Sequence, residues 1–555
     1  MSPETKTCQN CSQTFIVMVD DFAFYEKMQV PAPTFCPECR LKRRFSWRNE
    51  RVFYRGVCGL CKKSIISIHA PDSPYPVYCH ACWWGEGWDG TTYGQDYDFS
   101  KPFFTQYREL LNVVPQIALN GHATNTNSEY ANYVVQSKDC YLTIGGGIME
   151  DVMYSQLNFR VRQCMEIMMS SDSEKCYELF YSNKCYNVAW AKNSAECRDS
   201  YFLDDCRNVH DCIKCSGLRN ASYCYENKQL SKEEYTAKKE RFLQELFENP
   251  DQVRADFHAF TLTVPKRFAN FGHTENCTGD YIAEGRNCKD SYFIQNGENV
   301  AYSGDALLNI KDVRDGYSVG LGGELIYELM TGSMQIQNIR CSSVVRNNCS
   351  NVSYCFGLNA SSDLFGCIGL SKKKFCILNK QYTEEEYREL LPKIIQHMNE
   401  MLYIDKRGIV YNYGEFFPTE LSLFSYNETV AQEYFPLSAR EAGLAGYRWH
   451  TPEKRNYTIG GDILACAHGG KCGENCTEAF KIIPKEAEFY TSLSLPTPNL
   501  CPNCRHARRL KQKNPMKLWH RKCMKESCKN EFETTYAPER PETIYCEKCY
   551  QETIA

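Results

Sequence analysis

Sixteen cysteines, set as eight close pairs near the two ends of the chain, constrain the fold more than any other feature. The first four pairs are Cys8-x2-Cys11, Cys36-x2-Cys39, Cys58-x2-Cys61 and Cys79-x2-Cys82. The last four are Cys472-x3-Cys476, Cys501-x2-Cys504, Cys523-x4-Cys528 and Cys546-x2-Cys549. A turn of this length can aim both thiolates at one ion, and four thiolates suit a tetrahedral Zn2+ with no open position. These sixteen residues are therefore expected to hold four structural zinc ions. Each ion would supply on the order of 10 kcal/mol to a small local core. Iron–sulfur clusters are the main rival, and the symmetric pairing argues against them. In the third site Cys466 or His468, just before Cys472, can take its place.

The two ends are copies of one another. Residues 15–40, FIVMVDDFAFYEKMQVPAPTFCPECR, match 480–505, FKIIPKEAEFYTSLSLPTPNLCPNCR, without a gap, and VYCHAC (77–82) matches IYCEKC (544–549). Such self-similarity marks an internal duplication. In each copy one pair is expected on a turn and the next at the start of a helix, with Pro37 and Pro502 at an early helical position. This is the treble-clef or zinc-ribbon pattern.

Charge is distributed unevenly. Residues 36–63 carry a net +7 and residues 501–529 a net +9, so a chain of total −4 leaves −20 for the rest. Basic helices and loops of this kind suit phosphate. The candidate nucleic-acid contacts are Arg40, Lys42, Arg43, Arg44, Arg48 and Arg51 in the first copy. In the second they are Arg505, Arg508, Arg509, Lys511, Lys513 and Lys517. Two blander readings stand beside this one: an acidic protein surface, and simple compensation of the anionic thiolate sites. Structured RNA, with zinc-bearing ribosomal proteins as the analogy, is the favoured ligand. Trp47, Trp83, Trp84, Trp88 and Trp519 are read as cover for the zinc cores before base stacking.

Between the ends the cysteines keep time. Cys164, Cys185 and Cys206 are 21 apart, as are Cys176 and Cys197, with steps alternating between 12 and 9. Short β-prone triplets separated by Asn, Asp, Ser and Lys predict coils of a parallel β-helix with a period near 21, cysteines stacking inward as small apolar groups. A second, less regular block carries Cys277, Cys288, Cys341, Cys349, Cys355, Cys367 and Cys376. Both blocks end at Asn-Lys-Gln, followed by the capping boxes Ser231-x-x-Glu234 and Thr383-x-x-Glu386. Each helix that follows is expected to cap an open end of the β-helix. The cluster Cys206, Cys212, Cys215 reads as core thiols before metal ligands. The pair Asp204-Asp205 lacks the companions a hydrolase needs, so no catalytic residue and no enzyme activity are expected.

The expected fold is mainly β, with small α+β zinc modules. It comprises a double four-cysteine module over 1–100, repeat blocks with their helices over 101–260 and 261–402, an aromatic connector over 403–460 that serves as a brace, and a second double module over 461–555. The polar start and the lack of a long apolar run predict a cytoplasmic protein with no membrane partner. Its 33 cysteines then read as ligands and buried thiols rather than disulfides.

The motifs CPECRLKRR with RNER (36–51), VYCHACWW (77–84), Cys-Tyr repeats ending in NKQY (379–382), and YGEFFP, YNET and YFP (413–436) resemble a family of uncharacterised multi-zinc-ribbon proteins from uncultivated small-genome bacteria. The resemblance covers nearly the whole chain and departs from the pattern at NKQL (227–230) and at Cys472-x3-Cys476. It implies cytosolic zinc binding. The two functions it leaves open are nucleic-acid binding through the basic modules and a protein–protein scaffold built on the β-helical body.

Overall fold

In a computed structural model describing residues 2–122, 124–305, 308–332, 334–451 and 458–554, the chain is built mainly of strands, with fewer residues in helices. From Tyr133 to Glu226 every third residue has a left-handed backbone, Gly145 and Gly217 falling into the same series. The strands on either side pair in parallel with the chain twelve residues on. Asn132 lies beside Ile144 and Ile144 beside Gln156, and further along Tyr186, Arg198, His210 and Ser222 follow one another at the same step. Each turn thus has four three-residue sides. Asn and Asp, which tolerate the left-handed region, recur at the corners.

The residue after nearly every corner is buried, and many of these residues are small. Cys140, Cys164, Cys176, Cys185, Cys197, Cys206, Cys212, Cys215 and Cys224 all occupy this position and share one core with Val, Leu and Ala. Their thiols lie against backbone carbonyls: Cys164 Sγ is 3.2 Å from the Arg162 carbonyl oxygen and Cys176 Sγ 3.2 Å from that of Glu174. Serine does the same work at equivalent places. Ser170 Oγ accepts from the Ser182 N–H (3.2 Å), one turn on, and donates to the Met168 carbonyl (3.1 Å). A polar group that fits and is satisfied costs little in so narrow an interior.

The twelve-residue step corrects the expected period of 21, which is one turn plus three sides. Cys164 and Cys176 are one turn apart, but Cys164 and Cys185 sit on different sides. In the second block the corners again recur every third residue from Tyr281 to Leu378, but with four-residue sides at 305–309, 318–322, 331–335 and 344–348. The turns there lengthen to thirteen: Gly297 pairs with Ile310, Lys311 with Glu324, Gly323 with Ile336 and Gln337 with Ser350. That insertion is why this block looks irregular in sequence. Its separate core mixes Cys288, Cys349, Cys355, Cys367 and Cys376 with Ile, Val and Leu. Cys341 is itself a corner residue and faces outward, its thiol donating to the Gly414 carbonyl (3.4 Å).

Both capping boxes form, with Ser231 Oγ and Thr383 Oγ1 each accepting from an N–H three residues on (3.2 Å). They begin the helices Lys232–Glu248 and Glu384–Glu400, and the first of these does not plug an open end as expected. Each block ends where a two-residue strand turns back antiparallel, Lys228–Gln229 and Lys380–Gln381. The first helix then runs back along the side of its block. Tyr235 meets Tyr223 of the last turn, and Phe242 meets Tyr201 and Phe202 almost two turns earlier. The large corner side chains offer that flank an apolar face, which an amphipathic helix buries more effectively than a narrow end.

Aromatic side chains from 403–460 are buried in a core shared with other segments. Phe416, Phe417 and Tyr411 are buried with Trp47, Phe104, Tyr107 and Tyr354, and Trp47 lies 4.8 Å from Phe417. Residues 452–457 of the expected connector lie outside the described residues. Among the described residues no helix is long and apolar enough to cross a membrane.

Candidate metal centres and the arginine helices that carry them

Four short antiparallel hairpins set up the cysteine sites. Glu4–Thr7 with Thr14–Val17, Tyr54–Val57 with Ser64–Ser67 and Trp519–Lys522 with Glu531–Thr534 each place two cysteines on the connecting turn, and Ile463–Ala465 with Ala479–Lys481 places three, Cys466, Cys472 and Cys476. The second pair opens a helix: Pro37–Phe45, His80–Trp84, Pro502–Leu510 and Glu547–Ile554 start just after Cys36, Cys79, Cys501 and Cys546. The positive end of each helix faces the thiolates, which favours their charged form.

The thiols converge as four groups: Cys8, Cys11, Cys36 and Cys39; Cys58, Cys61, Cys79 and Cys82; Cys466, Cys476, Cys501 and Cys504; Cys523, Cys528, Cys546 and Cys549. With Zn–S bonds of about 2.3 Å, the edge of a tetrahedron is about 3.8 Å. Cys11 and Cys36 are 3.8 Å apart, Cys61 and Cys79 3.8 Å, Cys476 and Cys501 3.9 Å, and Cys528 and Cys546 3.9 Å. These separations suit ligands of one ion and are far too long for disulfides. In every group one thiol is easier to ionise than usual. Mutual hydrogen bonding with Cys36 and Cys39 pulls Cys8 well down. Burial pushes Cys58, Cys501 and Cys546 up, but hydrogen bonds from neighbouring backbone N–H groups, and for Cys546 from Asn530, outweigh it. They settle at about 6, about 7 and about 7.

The third group corrects the ligand set expected from sequence. Cys466, not Cys472, completes the four thiols. Cys466 begins the hairpin turn, and its N–H bonds the Glu478 carbonyl (2.7 Å) as the Cys8 N–H bonds that of Gln13 (2.9 Å). Spacing alone favoured the nearer Cys472. Elsewhere, none of the metal-type groupings among the described residues includes Cys206, Cys212 or Cys215.

Most of these basic residues are turned into the protein. Of the twelve candidate contacts, Arg40, Arg43, Arg44, Arg48, Arg505, Arg509 and Lys513 are buried, Lys42, Arg51 and Arg508 are partly buried, and only Lys511 and Lys517 are exposed. Most of the twelve are paired with carboxylates of the same chain. Arg40 donates to Asp315 (2.9 Å), Arg43 to Glu328 (2.6 Å) and Glu415 (2.9 Å), and Arg44 lies 3.2 Å from Asp315. In the second copy Arg505 contacts Glu166 (2.8 Å) and Glu486 (3.0 Å), Arg508 contacts Glu178 (2.8 Å), and Arg509 pairs with Glu166. Arg48 pairs with Glu50 (2.7 Å), Arg51 approaches Glu433 (4.0 Å), and Lys513 is held by Asp305 (3.3 Å). Lys42 lies over the Tyr426 ring, Lys511 pairs with Glu474, and Lys517 lies near Trp519.

Sequence reasoning missed these acids, and they form a pattern. Glu166 and Glu178 are equivalent corners of successive turns, twelve residues apart, and Asp315 and Glu328 are equivalent corners of successive turns, thirteen apart. The corner one turn before each acid pair is a tyrosine. Tyr154 donates to Glu486 (2.8 Å) and Tyr302 to Asp21 (2.8 Å), and Asp21 and Glu486 are the equivalent residues of the two copies. Each block therefore presents a column of Tyr, acid, acid, one per turn. Neighbouring strands are spaced by about 4.8 Å, close to the 5–6 Å between helical residues three or four apart. An arginine helix can thus read the column rung by rung. The docking of the arginine helices is crossed: Pro37–Phe45 lies on the acids of the second block and Pro502–Leu510 on those of the first. The two ends meet at Glu433, which contacts both Arg51 and His506 (3.1 Å).

The copies differ electrostatically. Burial pushes Glu328 up to about 7, since Asp315 and Glu415 crowd it and Arg43 and Arg44 compensate only in part. Burial also opposes ionisation of Glu178, but Arg254 and Arg508 outweigh it and hold the carboxyl well below its usual range. The Asp204-Asp205 pair borders a cavity of about 330 Å3. Asp204 is bound to Lys266 (2.5 Å), and Asp205 accepts from Arg219 (3.1 Å) and from Tyr550.

Compared with known protein families and with curated protein sequences, the chain matches no family model and no curated protein.

Proposed function

We propose that this protein is a non-enzymatic, zinc-stabilised scaffold, whose treble-clef-like modules clamp a body of two β-helical blocks and leave the body's outer face to a protein partner. The observation that carries this reading is the burial of the arginine helices. The charge that suggested a grip on phosphate is taken up by Asp315, Glu328, Glu166 and Glu178 within the same chain. The metal ions, read as zinc, would hold each helix at the angle its acid column needs. The face that stays exposed carries a ladder of ion pairs one turn apart: Lys138 with Glu150 (2.8 Å), Arg160 with Asp172 (2.6 Å), Arg162 with Glu174 (2.9 Å) and Lys184 with Glu196 (3.1 Å). Exposed pairs of this kind add little stability but provide a flat, regular surface of alternating charge. A cytoplasmic, bacterial setting belongs to this proposal through the motif resemblance.

Titrating the zinc-loaded full chain with structured RNA and with duplex DNA across a salt series tests it. The scaffold reading expects weak binding that is no weaker after Arg43, Arg44, Arg508 and Arg509 are changed to Glu, because the change undocks the modules instead. Tight binding with a steep salt slope, abolished by those four changes while the modules stay protected from hydrogen exchange, would restore the nucleic-acid reading.

A further inference from the structure

The two copies of the first zinc module differ at one place. Two residues separate Cys8 from Cys11, whereas nine separate Cys466 from Cys476. The longer turn reads AHGGKCGEN, and its seven extra residues include three of metal-ligand type: His468, Cys472 and Glu474. They do not point away from the site. One nitrogen of His468, the Cys472 sulfur and a carboxylate oxygen of Glu474 converge with the sulfur of Cys504, all four atoms within 4.8 Å of one another. Cys472 Sγ is 3.6 Å from Cys504 Sγ, and Cys466 Sγ is 3.9 Å from the same atom on its other side. His468 Nδ1 is buried and has no hydrogen-bond partner in the described structure, 3.7 Å from Glu474. A ring nitrogen held so, facing a thiol and a carboxylate, is positioned as a ligand. Among the described residues none of the other three cysteine sites has further donors of this kind grouped with it.

We infer that the third site is binuclear. A second divalent ion of the zinc type would be held by His468 Nδ1, Cys472 Sγ, Glu474 and the Cys504 thiolate, which bridges to the ion held by Cys466, Cys476 and Cys501. Nitrogen, oxygen and sulfur together select a borderline metal over Ca2+ or Mg2+. The charge balance is favourable. A four-thiolate zinc site carries −2, and the second ion arrives with one further thiolate and one carboxylate, adding no net charge. The Cys472 proton leaves to solvent on binding. Lys511, the exposed member of the basic helix region, pairs with Glu474 and so orients this outer ligand. His468, Cys472 and Glu474 are partly exposed while Cys501 and Cys504 are buried. The outer ion should therefore exchange faster than the inner one.

This inference rests on the metal reading above, and ion counting separates the two. The full chain is saturated with Zn2+, passed through a desalting column and analysed for bound zinc by mass spectrometry. Five ions per chain are expected. Separate His468→Ala and Cys472→Ser variants should each hold four, with unchanged hydrogen-exchange protection over 484–510. With 113Cd in place of zinc, a pair of mutually coupled cadmium resonances is expected, and the coupling should vanish in both variants. Four ions in the saturated wild type would overturn the binuclear site and leave Cys472 as an alternate to Cys466. Zero ions would overturn the four-site reading as well.

Discussion

Replacing Arg505 by alanine is the sharpest probe of the clamp. The side chain is fully buried, and one of its nitrogens serves Glu166 at 2.8 Å, Glu486 at 3.0 Å and the Tyr490 hydroxyl at 2.6 Å. Its loss leaves two buried carboxylates without the cation they share, Glu166 keeping Arg509 and Glu486 only the Tyr154 and Tyr490 hydroxyls. Removing one member of a buried ion pair costs about 3–5 kcal/mol, and here two partners are left behind, although Arg509 still serves Glu166. An estimate of about 4 kcal/mol is a factor of roughly a thousand in the docking equilibrium. A chain of this size with several metal sites does not unfold in one step, so a global midpoint is the wrong readout. Local hydrogen exchange is the right one. In zinc-loaded Arg505→Ala, protection should fall by about three orders of magnitude in Pro484–Ser492 and Pro502–Leu510, while the strands of the first block keep theirs. A double-mutant cycle with Glu166→Gln should show strong coupling, because the second change removes the charge that the first leaves stranded. Protection that drops less than tenfold in Arg505→Ala, with no coupling, would refute the reasoning and mean that the helix is held by its metal alone.

Further outcomes follow from the same contacts. Stripping the zinc with a strong chelator should expose 1–100 and 461–555 to protease while 132–226 resists, because the first block has its own core; simultaneous digestion of both would show that the blocks depend on the modules. Cys176→Leu should destabilise the first block by about 1–3 kcal/mol through overpacking without altering the zinc count, and a lost ion would make that thiol a ligand. Alkylation of the zinc-loaded native chain should spare Cys164, Cys176 and Cys206, since they are buried, and rapid labelling there would contradict the inward-facing core. The Glu178 carboxyl is depressed by Arg254 and Arg508, so its contribution is complete above its unfolded value near pH 4.5. It is lost as pH falls toward the folded value. The stability gap between wild type and Glu178→Gln should accordingly be widest at neutral pH and close below about pH 4.5; a gap that widens on acidification would reverse the assignment.

What the sequence yielded divides along a physical line. Cysteine ligands are legible because spacing on a short turn is a local property, and fifteen of the sixteen expected positions fall in the four thiol groups. For the third site the sequence left Cys466 and His468 as alternatives to Cys472, and the hairpin pairing decides for Cys466, which lies across an insertion. The repeat was visible, but its twelve-residue turn was hidden by cysteines that recur at one turn plus three sides. The basic stretches misled for a different reason. Their charge is local, whereas their partners lie far off in sequence, 275 residues away for Arg40 and Asp315 and 343 for Arg509 and Glu166. Nothing in a window of fifty residues shows that pairing.

Yet the complement was present in the totals. Two segments carrying +7 and +9 within a chain of −4 leave −20 for the remaining residues, and a folded chain can satisfy such an imbalance internally before it meets any partner. The periodicity says where. Tyr154, Glu166 and Glu178 step by twelve, while Tyr302, Asp315 and Glu328 step by thirteen. The arginines they meet recur every three or four residues on a helix. A column with one acid per turn and a helix with one arginine per turn have nearly the same rise, so one sequence can specify their docking without any residue being conspicuous alone. Because both the column and the helix were duplicated, each module had two equivalent columns to choose from, and the chain uses the crossed pairing. Exchanging Glu178→Arg with Arg508→Glu in the first column alone tests whether charge dictates that choice: the swapped pair should restore docking of the C-terminal helix that either single change loses, while the N-terminal helix stays on Asp315 and Glu328. Failure of the double variant to recover protection over 502–510 would mean that the metal-fixed helix geometry, and not the charge column, selects the partner block.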